Sequence, residues 1–178
     1  MARIPQAVAV AVVLGLLGVL VWDVVHSSGG KVARAVDAGK IIDAPAFTRP
    51  RVDAAGKLSL ASLRGKIVVL NFWQSYCAPC TKEAPTLVRA SKRWEGRDVV
   101  FVGVDEQDLL GPARAFMKRF AVSYPIISDD GPLVGHYGVT GFPETFFVDK
   151  RGRVVPPHIV GPATSAGLDA AIKRLLRT

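Results

Sequence analysis

Cysteine is scarce in this chain: there are two in 178 residues, Cys77 and Cys80. A pair that close closes only a tiny loop, so it cannot staple distant parts of a fold. It is also too small a set for a four-ligand zinc site unless histidines join it. Histidine is equally sparse. His26, His136 and His158 are the only three, and none stands at ligand spacing from the cysteines. No cysteine follows the apolar segment near the N-terminus, which excludes a cysteine-linked lipoprotein. No run of basic residues interleaves with aromatics, although the formal net charge is +8. The charges are scattered, with Arg49 and Arg51 in one place, Lys92, Arg93 and Arg97 in another, and Lys173, Arg174 and Arg177 in a third. They read as solvated faces, and nucleic acid is not an expected partner. No internal repeat is visible, and the length suits one ordinary domain with an appendage. Hydrophobic residues make up 49% of the chain, too many for a disordered class.

Much of that apolar content lies at the start. The stretch from Ile4 to Trp22 carries no charge and is just long enough to cross a hydrocarbon core as a helix. The apolar region of a secretory signal is shorter, about 7 to 15 residues. Length therefore favours an uncleaved transmembrane signal-anchor over residues 1–25, with Trp22 at the interface. The rival is a cleaved signal peptide, for which Ala33-Arg34-Ala35 has the right form but lies far from the apolar run. Residues 26–38 are small, polar and mixed in charge, and read as a flexible linker. Only Arg3 and the amino terminus are positive before the span, whereas Lys31, Arg34 and Lys40 follow it. The positive-inside bias alone would put the domain on the cytoplasmic side.

The remainder, 39–178, reads as one α/β domain. Lys66 to Trp73 is a β-branched apolar run, a buried strand. Leu87, Ala90, Ser91 and Trp94 then repeat at helical spacing. Asp98 to Val104 is a second buried strand, and Ala113, Phe116, Met117 and Phe120 mark a second helix. Tyr124 to Ile127 reads as a short strand closed by the turn Asp129-Asp130-Gly131-Pro132. Glu144–Val148 and Val154–Val160 flank Asp149-Lys150-Arg151-Gly152 as a hairpin. Thr164 or Ser165 caps a last helix bearing Leu168, Ile172, Leu175 and Leu176. This order implies a layered sheet with helices on both faces.

Cys77-Ala78-Pro79-Cys80 joins the first buried strand to the first helix. Unpaired N–H groups at a helix start present partial positive charge, which stabilises a thiolate and makes it a usable nucleophile. Cys77 would occupy that exposed end, and Cys80 would lie one turn inside. Pro79 suits an early helical position. Thiol–disulfide exchange would then run by attack from Cys77 and resolution by Cys80. The alternatives are a structural pair or half of a metal site.

Several motifs in order carry a wider resemblance. Asp43-Ala44-Pro45-Ala46-Phe47, Gly56 to Leu60, Leu63-Arg64-Gly65-Lys66, the C-x-x-C pair, Pro85 and Gly141-Phe142-Pro143-Glu144-Thr145-Phe146 are similar to those of the thioredoxin superfamily. More narrowly they resemble its TlpA-like group, which includes the ResA and CcmG reductases. The match covers residues 39 to 178. It implies a thioredoxin-like three-layer fold with a central mixed sheet, preceded here by the N-terminal transmembrane helix. It implies Cys77 and Cys80 as the redox-active disulfide, Pro143 as the cis-proline facing it, and Glu83 as a carboxylate that raises thiol pKa values or relays protons. Trp73, Tyr76, Phe142 and Glu144 would contact substrate, the backbone of Phe142 by strand-like pairing. Asn71 replaces the buried acid of other thioredoxins, in keeping with the TlpA-like group. No bound cofactor or metal is implied. The segment from Asp105 to Pro132 resembles the family's central insert and reads as structural padding.

The resemblance further implies a membrane-anchored oxidoreductase on the extracytoplasmic side of the cytoplasmic membrane, at odds with the flanking charges. Its substrates would be disulfides of exported proteins such as apocytochrome c, during cytochrome c maturation. Electrons would come from a membrane donor of the CcdA or DsbD type. The alternatives are a general oxidase or isomerase of exported proteins, and a copper-binding assembly factor using the cysteines and a histidine. A peroxidase is disfavoured, because Gln74 stands where peroxiredoxins place a threonine.

Overall fold

The computed structural model describes residues 8, 11–19 and 30–177. The described part of the first helix, α1, covers 11–19, and every one of these residues is exposed. Among the described residues no helix is long and apolar enough to cross a membrane. The rest of the expected span, Trp22 included, and linker residues 26–29 lie outside the described residues.

The domain is organised by β4 (Ile67–Trp73), which is buried at all seven positions. Its odd and even residues point to opposite faces of the sheet. The chain builds outward from it in the order β1-β8-β7-β4-β5-β6. β5 (Val99–Glu106) runs parallel to β4, and β6 (Ile126–Asp129) runs parallel to β5. β7 (Glu144–Val148) is antiparallel to β4, β8 (Arg153–Val160) to β7, and the short β1 (Ile42–Asp43) to β8. The result is a mixed sheet. A separate hairpin pairs β2 (Thr48–Pro50) with β3 (Lys57–Ser59).

Helices cover both faces. Ile67 and Val69 of β4 pack with Leu87, Ala90 and Trp94 of α3 (Ala78–Trp94) and with Leu168, Ile172 and Leu175 of α6 (Ser165–Leu175). On the same side, Trp73 packs against Ala113 and Phe116 of α4 (Leu110–Phe120). Val68, Leu70 and Phe72 face the other way, onto Leu133 and Tyr137 of α5 (Pro132–Tyr137) and onto α2 (Lys31–Asp37). Thr164 caps α6, its Oγ1 accepting from the Gly167 amide at 3.1 Å. The hairpin turns where Asp149 Oδ1 accepts from the amides of Arg151 and Arg153.

Two segments differ from the sequence reading. Residues 31–37, expected within a flexible linker, form α2, which buries Val32, Ala33 and Val36 against the sheet. The cause is a short apolar face at helical spacing, hidden among polar and charged neighbours. Gly138, with φ 75°, closes α5 so near Gly30 that any side chain there would collide with the Gly30 backbone. The segment after β6 is more than a turn. The buried Asp129 accepts from the amides of Gly131, Leu133 and Val134, and so starts α5. Gly103 in β5 also admits no side chain, since a Cβ would strike Ile126 and Trp73.

A linker residue tolerates truncation, and a packed one does not. Val36→Ala should destabilise the domain by about 1–3 kcal/mol, read as a lower denaturant midpoint at unchanged slope. A midpoint equal to wild type would mean that α2 is not docked in solution.

Candidate active site

β4 ends at Trp73 and hands the chain to α3 across a short loop. That loop is held from outside the motif. The Ser75 amide donates to Asp108 Oδ2 at 2.8 Å, and Gln74 Nε2 donates to the Glu106 carbonyl at 3.2 Å. Cys77 is the N-cap of α3, and its Sγ accepts from the Cys80 amide at 3.2 Å. Its sulfur therefore sits on the positive end of a long helix, where a thiolate is stabilised. The two cysteines form a disulfide with a Cα–Cα distance of 5.2 Å. They are not equivalent. Cys77 is half-buried, while Cys80 is 3% exposed and packs among Trp73, Ala84 and Ile126. An incoming disulfide can reach only the first. Pro85 lies within α3, which continues past it to Trp94.

The opposite wall is the segment before β7. The Phe142–Pro143 bond is cis. The Phe142 carbonyl oxygen lies 3.5 Å from Cys77 Sγ, so a reduced Cys77 thiol has an acceptor there. Tyr76 is 69% exposed beside the pair, and Phe142 is half-buried. These two present surface beside the pair. The other two expected substrate contacts do not. Trp73 is 4% exposed, its ring packed on Phe116 with centroids 4.4 Å apart. Glu144 is 1% exposed, and its Oε1 accepts from the Thr140 amide, the Thr140 hydroxyl and the Gly141 amide. Both are corrected to supporting roles: each is the terminal residue of a central strand and points inward.

Glu83 lies one helical turn beyond Cys80 and is 2% exposed. Asn71 Nδ2 donates to its Oε1 at 3.3 Å and to Thr145 Oγ1 at 3.0 Å. Burial pushes the Glu83 carboxyl from 4.5 up to about 7, only partly offset by the Ala163 amide and Asn71. A proton on Glu83 is thus exchangeable near neutral pH. A cavity of about 10 Å³ between Asn71, Trp73, Cys80 and Tyr124 has room for about one water. Asp105, buried at the end of β5, is also pushed up to about 7, by burial and then by the neighbouring Asp108.

Asp105 and Asp108 were not singled out from the sequence. A signal existed: acids that follow a parallel buried strand emerge at the same sheet edge as the end of β4. Neither of the two described histidines is grouped with the cysteines as a copper site would require. His136 is exposed on α5, and both ring nitrogens of His158 face carboxylates. Among the described residues no three His, Cys, Asp or Glu side chains gather at metal-binding geometry.

A half-buried sulfur at a helix start, a shielded partner behind it and a cis-proline wall in front define a thiol–disulfide oxidoreductase on a thioredoxin-like fold. Comparison with known proteins agrees. The model of the AhpC/TSA family matches residues 42–156, and the chain belongs to that family. It is 37% identical over 142 residues to the thiol:disulfide interchange protein HelX of Rhodobacter capsulatus, covering 78% of this chain and 77% of that one. It is 35% identical over 134 residues to the thiol-disulfide oxidoreductase ResA of Bacillus subtilis, covering 71% and 74%. A thioredoxin-family thiol:disulfide interchange protein from Chlorobium tepidum superposes with a TM-score of 0.70 at 33% identity, over 77% of this chain and 97% of that one. The enzyme is a thiol–disulfide oxidoreductase of the ResA and HelX type.

Because the folded-state pKa of Glu83 is raised, its contribution to stability is fully present below about 4.5 and lost as pH rises through about 7. Glu83→Gln removes that loss. The variant should gain on wild type between pH 4 and pH 8.5, by a difference on the order of 3 kcal/mol in unfolding free energy. A difference that stays constant with pH would show that Glu83 does not titrate in this window.

Proposed function

We propose that this protein is a membrane-anchored reductant of disulfides in exported proteins. The observation that carries the redox step is the asymmetry of the pair: Cys77 is open, helix-capped and beside the Phe142 backbone, while Cys80 is buried behind it. In the reducing direction, the Cys77 thiolate attacks one sulfur of a substrate disulfide. That disulfide breaks, a Cys77–substrate disulfide forms, and the first substrate sulfur leaves as a thiolate. Cys80, deprotonated, then attacks Cys77 Sγ. The Cys77–Cys80 disulfide forms, the second substrate sulfur leaves, and two electrons have passed to the substrate. Glu83 is the buried carboxyl nearest along α3 to the proton that Cys80 must lose, and it is placed to accept or return it near neutral pH. Pro143 shapes the wall against which Phe142 offers its backbone to a strand of substrate.

Anchoring is supported by α1. Residues 11–19 are all exposed, Val12, Val13, Leu14, Leu16, Leu17 and Val19 among them, inside a charge-free run from Ile4 to Trp22. Such a surface is suited to lipid. Placement of the domain outside the cytoplasm, a donor of the CcdA or DsbD type and apocytochrome c as substrate rest on the resemblance to the TlpA-like group.

Cys80→Ala removes the resolving sulfur and should hold substrates as mixed disulfides on Cys77. The expected catch is exported protein carrying a Cys-x-x-Cys-His site. Capture of cytoplasmic proteins alone would overturn both the location and the substrate. The reduction potential of the Cys77–Cys80 pair separates the reductant from an oxidase. A reductant lies toward about −270 mV, and an oxidase toward about −120 mV.

A further inference from the structure

The exchange steps use neither Glu144 nor His158, yet both are built into the wall that faces Cys77. Glu144 grips the Thr140 and Gly141 amides with Oε1 and meets His158 Nε2 at 2.9 Å with Oε2. The other ring nitrogen, Nδ1, lies 3.1 Å from Asp37 Oδ1 on α2. The ring is stacked on Phe146, with centroids 4.1 Å apart and planes 16° apart, and its side chain is 3% exposed. One imidazole therefore joins α2, β7 and β8. A neutral ring donates from one nitrogen, and an imidazolium donates from both. The two carboxylates are unequal claimants. Asp37 is 57% exposed and has water as a substitute, whereas Glu144 is 1% exposed and has none. A buried acceptor left without its donor costs about 1–3 kcal/mol, more when charged. The bond to Glu144 is the one that the ring keeps.

We propose that His158 is a positioning residue for exchange with polypeptide substrates: by anchoring Glu144 it holds the Thr140–Gly141 amides, and through them the Phe142 backbone, where a docking strand must pair beside Cys77. His158 itself touches neither sulfur nor substrate. The relay is short, since Glu144 bonds Gly141 and the next residue places its carbonyl 3.5 Å from Cys77 Sγ. A backbone displaced by a fraction of an ångström spoils strand pairing but leaves the sulfur at the helix end unchanged. The inference rests on disulfide exchange at Cys77, not on which exported protein is the substrate.

Two probes separate these effects in the full-length protein, reduced and held in detergent. Dithiobis(nitrobenzoate) needs only a reachable thiolate. A short peptide closed by an internal Cys-x-x-Cys disulfide must lie along Phe142. His158→Gln should slow the peptide reaction about tenfold and leave the small-disulfide rate within about twofold. Glu144→Gln should show the same selectivity, and the double variant should lose no more than His158→Gln alone, because the two act in series. Equal falls on both probes, an unchanged peptide rate, or additive losses would each overturn the proposal. Asp37→Asn changes an exposed carboxylate and guards against a variant that does not fold. Because water can take the place of that carboxylate, both rates should stay within about twofold of wild type; a peptide-confined loss as large as that of His158→Gln would put the positioning on the Asp37 bond and overturn the proposal. A wild-type protein that reacts with the small disulfide but not the peptide would instead sink polypeptide exchange itself, and the proposal with it.

Discussion

A strand with no exposed residue imposes strict terms on everything around it. Each backbone N–H and C=O of β4 must find a partner, because an unpaired group buried away from water costs as much as a lost hydrogen bond. β5 on one edge and β7 on the other meet that demand along its length. Its two faces must also be covered, and α3, α4 and α6 take one while α2 and α5 take the other. At the end of β4 the chain leaves the core and starts α3. The sulfurs stand at that junction. The chemistry is sited where the core stops.

Polar groups inside the core form a second framework. Asn71 bridges Glu83 and Thr145, Glu144 brackets the segment before β7, and Asp129 starts α5 while pairing with Arg49. Asn71 reaches Thr145, Glu144 reaches His158 and Asp129 reaches Arg49, so each also ties together segments separated in the chain. Buried acids are costly unless bonded. Their concentration around one loop region is the physical signature of a site that must hold its shape while a disulfide opens and closes.

The strands and long helices were legible because burial writes a period into the sequence. Lys66–Trp73 and Asp98–Val104 could be read as core strands from unbroken β-branched runs, and α3 and α6 from apolar residues at helical spacing. Cys77 and Cys80 were legible from spacing and from the strand–helix junction. Glu83 and the Phe142–Pro143 segment were legible only through family motifs. What escaped depends on contacts between remote segments. Val32 and Val36 are too few to stand out until α5 and the sheet supply a surface for them. Glu144 carries a charge that suggests solvent, and only the amides of Thr140 and Gly141 and the ring of His158 explain its burial. Trp73 looks like a substrate platform until Phe116, far along the chain, is laid upon it.

The docking of α2 has a mechanical side. With Val32, Ala33 and Val36 locked to the sheet, only residues 20–29 separate the described part of α1 from the folded domain. At about 3.5 Å per residue, that length of chain spans no more than about 40 Å even at full extension. If α1 lies in a bilayer, the sulfur of Cys77 patrols a thin shell above the lipid and never the bulk fluid. Within that shell, partners held at the same surface meet it at an effective concentration far above their overall abundance. A weak docking interface then suffices, and a substrate must be brought to the membrane to be served.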